Sequence, residues 1–126
     1  MQTIILAMLR RAVAQGLITR ISDSPGNVRT VYESDYAKAM GAVGVFDADT
    51  VIIEVAEFGE YGAGYCLALC DRIRGEAPGC RLILLCPEQN ELCVSTVGEA
   101  KRNGRIDDFL FYGASLDYLI SKLLSI

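Results

Sequence analysis

Thiols are the most reactive side chains in this sequence, and histidine is absent from it. The five cysteines are Cys66, Cys70, Cys80, Cys86 and Cys93. Thiolates bind soft metals, exchange disulfides or attack electrophiles, and each of these reactions needs a partner group at a suitable spacing. A structural zinc site takes four ligands, usually from CxxC or histidine pairs. Cys66 and Cys70 are four residues apart and share a helix face, but there is no CxxC pair and nothing completes a tetrad. No metal site is expected, and no dithiol redox role. Cys86 could act as a nucleophile, yet no base can be named for it. Four of the five cysteines lie inside apolar stretches, which predicts reduced core thiols of a cytosolic protein.

The second chemical candidate is the glycine-bearing run Gly59 to Gly64, GEYGAG. It has neither the GxGxxG spacing nor the lysine and hydroxyl of a phosphate-cradling loop, and its glutamate repels phosphate. No nucleotide site is expected there. Lys101, Arg102 and Arg105 form a basic cluster that reads as a solvated helix end, where cations favour the helix dipole.

Composition narrows the remaining classes. The chain has 126 residues, 52% of them hydrophobic and 22% charged, with a formal charge of −4. That suits one globular domain spanning residues 1–126. The acidic balance argues against direct nucleic-acid binding. The apolar run Ile4 to Leu9 is followed at once by Arg10 and Arg11, the reverse of a signal peptide, and a membrane span needs about 20 apolar residues. A cytoplasmic, membrane-free protein is expected.

These residues must be positioned by an alternation of strands and helices. Thr3 to Ala7 (TIILA), Val28 to Glu33 (VRTVYE), Thr50 to Val55 (TVIIEV), Arg81 to Cys86 (RLILLC) and Ile106 to Tyr112 (IDDFLFY) read as strands. Helices are predicted over Met8–Ile21, Tyr36–Val43, Tyr65–Arg74, Asn90–Arg102 and Leu116–Leu124. Leu9, Val13, Leu17 and Ile21 form the stripe of the first, and Ser34 and Asp35 cap the second. Ser115 caps the last. Strict alternation demands a parallel sheet covered on both faces through right-handed crossovers. The expected fold is α/β, a flavodoxin-like three-layer sandwich of strand order 2-1-3-4-5.

Several motifs occur in an order similar to response-regulator receiver domains of the CheY-like type. Asp49 to Glu54 (DTVIIE) resembles the third receiver strand, which ends in the phosphoacceptor aspartate. Gly62 follows eight residues later, where receivers usually carry glycine. Cys70 to Arg74 (CDRIR) resembles the end of their third helix. Asp107 to Leu110 (DDFL) resembles their fifth strand, and Ser115 to Leu119 (SLDYL) the start of their fifth helix. The resemblance covers the whole chain in architecture and its second half in motif.

What the resemblance implies for chemistry is a dismantled pocket. Receivers use two acids after the first strand to bind Mg²⁺, an aspartate nucleophile, a switch hydroxyl and a lysine. The acid positions fall on Ala7 and Met8, and no Asp or Glu precedes Asp23. The phosphoacceptor position is Glu54, the hydroxyl position Cys86, and the lysine position Tyr112, followed by Gly113. Phe58 stands where the resemblance places a proline. Phe109 occupies the position of the switch aromatic and is expected to be a fixed packing residue. Glu54 is expected to be a carboxylate exposed at the strand's C-terminal edge. Mg²⁺ wants several oxygen ligands in octahedral geometry, so its binding is expected to be absent or weak, and no cofactor is implied.

Function follows as three expectations of different class. The first is a phosphorylation-independent signalling module without enzyme activity. It would dimerise or dock a protein through the face formed by the fourth helix, fifth strand and fifth helix. The second is a small-molecule sensor with an apolar crevice built from Ala7, Met8, Phe58, Cys86 and Tyr112. The third is a genuine phosphoreceiver with an unusual pocket.

Overall fold

The computed structural model describes residues 1–111 and 116–124. The described residues form β1 (Gln2–Ala7), α1 (Arg11–Asp23), β2 (Val28–Glu33), a 3₁₀ turn (Tyr36–Lys38), α2 (Ala39–Phe46), β3 (Thr50–Glu54), α3 (Ala63–Glu76), β4 (Arg81–Cys86), α4 (Glu91–Arg102), β5 (Asp108–Phe111) and α5 (Leu116–Leu124). The sheet order is β2-β1-β3-β4-β5, with every pair parallel. This is the expected flavodoxin-like topology.

Period-two alternation along the strands splits the apolar residues into two cores. Ile5, Ala7, Val51, Ile53, Leu82, Leu84 and Cys86 face α2, α3 and α4. Ile4, Leu6, Ile52, Ile83, Leu85 and Leu110 face α1 and α5. The central strands are buried on both sides, which is why β3 and β4 read as unbroken apolar runs. Among the described residues, no helix is long and apolar enough to cross a membrane.

The second helix, expected over Tyr36–Val43, is a 3₁₀ turn Tyr36–Lys38 followed by α2 at Ala39–Phe46, and several other ends differ from the sequence expectation by one to three residues; three of the differences have a local reason. The first helix begins at Arg11, not Met8. Met8 is instead a buried loop residue in the α1/α5 core, and its N–H bonds to the Glu33 carbonyl. α3 starts two residues earlier than expected, with Gly62 as its N-cap and Gly64 inside the first turn. β5 starts at Asp108 because Asp107 is engaged elsewhere. The Asp107 carboxylate accepts from the Leu82 N–H at 2.8 Å and from Arg74 at 3.0 Å. Asp49 does the same across the other pair, accepting from the Thr3 N–H at 2.8 Å. These two acids satisfy backbone donors at the N-terminal edge of the sheet.

Side-chain caps start the 3₁₀ turn that leads into α2, where Asp35 of the expected Ser34–Asp35 pair acts, and α4, which begins one residue after its cap Asn90. The Asp35 carboxylate accepts from the Ala37 N–H, and Asn90 caps α4 by accepting from the Cys93 N–H. Tyr112, Gly113 and Ser115 lie outside the described residues.

Candidate functional site

In an open parallel sheet, the natural site is the crevice at the C-terminal ends of the strands. β1 and β3 are hydrogen-bonded neighbours, with Ala7 opposite Ile53. The loop after β1 therefore lies beside the last residue of β3, Glu54. That adjacency decides the local chemistry.

Glu54 is 2% exposed, which corrects the expectation of a solvent-facing carboxylate. One oxygen, Oε1, accepts from the Leu9 N–H at 2.9 Å and from the Arg10 N–H at 3.0 Å. The other, Oε2, accepts from Arg10 Nε at 2.9 Å. A buried carboxylate is tolerated only when its charge and lone pairs are met. Two amides and a guanidinium meet them here. Arg10 thus supplies the counter-charge to Glu54. The Arg10 side chain is 45% exposed, so the pair straddles the surface.

The backbone of Glu54 is held from the opposite face. The Tyr36 hydroxyl donates to the Glu54 carbonyl, and the Cys66 thiol approaches the same oxygen at 3.7 Å. Tyr36 is fully buried, and Tyr61 stacks on it with ring centroids 4.5 Å apart. The Val55 N–H bonds to the Leu85 carbonyl at 2.8 Å. Side chain and main chain at position 54 are therefore fixed independently.

Ala7, Met8, Phe58 and Cys86, the described positions of the expected crevice, are set apart from one another. Ala7 and Cys86 are buried in the α2/α3/α4 core, and Met8 in the α1/α5 core. Phe58 points into solvent at 87% exposure. These four do not line a common crevice. Phe109 is half-buried, edge-on to Phe111 at 5.8 Å, with Lys101 Nζ 5.9 Å above its ring. Lys101 also pairs with Asp108 at 3.0 Å, and Arg105 with Asp71 at 2.8 Å, so the basic cluster is an exposed, paired helix end.

All five cysteines are free and buried in one core. Cys66, Cys86 and Cys93 lie at the site end of that core. Burial pushes Cys66 and Cys70 up to about 12 and Cys80 up to about 11, and it raises Cys86 and Cys93 as well. Such thiols stay protonated and are poor nucleophiles at neutral pH. Among the described residues, no group of three or more His, Cys, Asp or Glu side chains could hold a metal ion.

The geometry can be set beside known structures. No family model and no curated protein sequence matches the chain. Solved structures do. A LuxR-family DNA-binding response regulator from Staphylococcus aureus superimposes with a TM-score of 0.77 at 14% identity, covering 99% of this chain and 98% of that one. A CheY-like protein, TadZ, from Pseudomonas aeruginosa PAO1 gives 0.70 at 18% identity, covering 98% and 97%. The isolated receiver domain of RcsB from Salmonella enterica serovar Typhimurium, solved with the phosphomimetic BeF₃⁻, gives 0.73 at 18% identity, covering 98% and 88%.

The chain has the receiver-domain fold. In this fold Glu54 ends the central strand β3, and the β1–α1 loop beside it supplies the Leu9 and Arg10 amides and the Arg10 guanidinium. Arg10 and Tyr36 are the site residues that sequence reasoning missed. Arg10 was signalled by its place in the short loop after β1, the neighbour of β3 in this topology. Tyr36 carried no comparable signal.

Proposed function

We propose that this domain is a cytoplasmic, non-enzymatic signalling and protein-interaction module that works without phosphorylation. The observation that carries the proposal is the Glu54–Arg10 closure. Both carboxylate oxygens are engaged, by two amides at 2.9 and 3.0 Å and by the guanidinium at 2.9 Å. Three of the roughly four lone-pair sites of the carboxylate are taken, so ligating Mg²⁺ or attacking a phosphoryl donor competes with these bonds. Ala7 and Met8 offer no oxygen ligands in compensation. The internal ion pair takes the place that a metal and a phosphoryl group would otherwise contest. Five reduced, buried thiols support a reducing compartment.

The surface proposed for self-association or partner docking is the α4–β5–α5 face. It carries half-buried Phe109 and Phe111 and exposed Tyr118. Aromatic side chains of this kind serve as interface anchors. The test is incubation with acetyl phosphate and Mg²⁺ followed by intact-protein mass spectrometry. No phosphoryl adduct is expected, and gel-filtration mass should be indifferent to the donor. A stoichiometric adduct on Glu54 would overturn the proposal.

A further inference from the structure

Two large apolar side chains stand out at the C-terminal edge of the sheet: Phe58, 87% exposed, and Leu92, 78% exposed. Between them runs a shallow groove, bounded by the β3–α3 loop on one side and the start of α4 on the other. It comprises two adjoining clefts, of about 480 and 290 Å³, which share Glu57 and Asn90. Pro87 floors one and Ala63 the other.

The loop that presents Phe58 is fixed, not loose. The Ala56 N–H bonds to the Tyr61 carbonyl at 2.8 Å and closes it. Gly59 turns its tip at φ +92°, a conformation that favours glycine. Tyr61 anchors its end by stacking on buried Tyr36, with Tyr65 edge-on at 4.9 Å. A preorganised apolar anchor loses little ordering entropy on binding.

Charge identifies the occupant. From Val55 to Cys70 and from Cys86 to Ala100 the charged residues are Glu57, Glu60, Glu88, Glu91 and Glu99, without a single lysine or arginine. Glu57 and Glu91 line the groove, and Glu60 and Glu88 are exposed on the two segments that bound it. An apolar centre inside a rim of one sign selects a partner of opposite sign.

We propose that this groove docks a basic segment of a partner protein, in which an apolar side chain sits between lysines or arginines. The apolar residue packs on Phe58 and Leu92, and the cations face Glu57 and Glu91. The assignment rests on the domain being an interaction module and adds a second surface and the chemistry of its ligand. An anionic membrane or nucleic acid is repelled by the same rim.

A display library of random short peptides, panned on the immobilised domain, tests this. Recovered peptides are then measured by fluorescence anisotropy against the native domain, Phe58→Ser, Leu92→Ser and Glu57→Lys/Glu91→Lys. The urea midpoints of these surface variants check that they are folded. The expected peptides are rich in Lys and Arg around an apolar residue. Their affinity falls about tenfold or more on either serine substitution and declines with added salt. Recovery of acidic or uncharged peptides, binding indifferent to Phe58 and Leu92, or no recovery would overturn the assignment. Panning is repeated with beryllofluoride and Mg²⁺ present. Peptides that bind this groove only then would leave the groove standing and refute phosphorylation independence instead.

Discussion

Replacing Glu54 separates the two things its carboxylate does. Glu54→Ala removes the acceptor for the Leu9 and Arg10 amides and the partner of the Arg10 guanidinium. Each partly buried amide left without an acceptor costs about 1–2 kcal/mol. The ion pair adds only about 0.5–1 kcal/mol, because the Arg10 side chain is 45% exposed and water screens it. The expected loss is about 2.5–5 kcal/mol. Arg10→Ala keeps both backbone bonds but leaves the 2%-exposed Glu54 carboxylate without its counter-charge, and should lose about 1–2 kcal/mol. Glu54→Gln keeps a neutral acceptor and should fall between them. Glu54→Asp restores the residue type of active receivers but retracts the carboxylate by one C–C bond, about 1.5 Å. It cannot hold contacts of 2.9–3.0 Å to the loop and should cost nearly as much as alanine. Urea unfolding followed by circular dichroism reads these differences. With a slope of about 2 kcal/mol/M, Glu54→Ala lowers the midpoint by about 1.3–2.5 M. An Arg10→Ala loss as large as that of Glu54→Ala, or a Glu54→Asp variant as stable as the native protein, would refute this division of roles.

Other outcomes follow from the same structure. Ellman's reagent should leave the native thiols nearly untouched at neutral pH and count all five in denaturant; rapid native labelling would contradict the buried placement. Burial raises Cys66 and Cys70 to about 12 and Cys80 to about 11, so their stabilising contribution is complete below the ordinary thiol value of 9.0 and is lost as pH climbs towards 11–12. Denaturant midpoints measured across that range should fall steadily, and a flat profile would count against the buried thiols. Asp107→Ala orphans the Leu82 N–H and releases Arg74, and should cost about 2 kcal/mol in the same urea assay. Phe58→Ser should change stability by less than about 0.5 kcal/mol, because the ring is exposed.

The strand and helix order was legible because both of its signals are local. Val51, Ile52 and Ile53 read as a doubly covered strand, and the turn residues between segments fell where the chain reverses. Edges were harder. Met8 and Leu9 fit a helical stripe as well as a strand-to-loop exit, and only the pairing of Met8 with Glu33 decides between them. Asp107 looked like strand because its neighbours are strand; its bond to Leu82, across the β4–β5 pair, depends on tertiary contact. The site was half legible. The departures at Ala7, Met8 and Cys86 can be read directly from residue identity. The closure of Glu54 could not, because its partners are 44 and 45 residues away and two of the three donors are backbone amides, which leave no trace in residue type.

The central claim is that Glu54 is satisfied internally and does not respond to a phosphoryl group. Amide NMR of the labelled domain during titration with Mg²⁺ and beryllofluoride tests it most directly. With the carboxylate held as described, the Leu9, Arg10 and Glu54 resonances stay in place to millimolar ligand. Saturable shifts at those three residues, spreading to Cys86 and Phe109, would contradict the claim and restore phosphate-gated signalling.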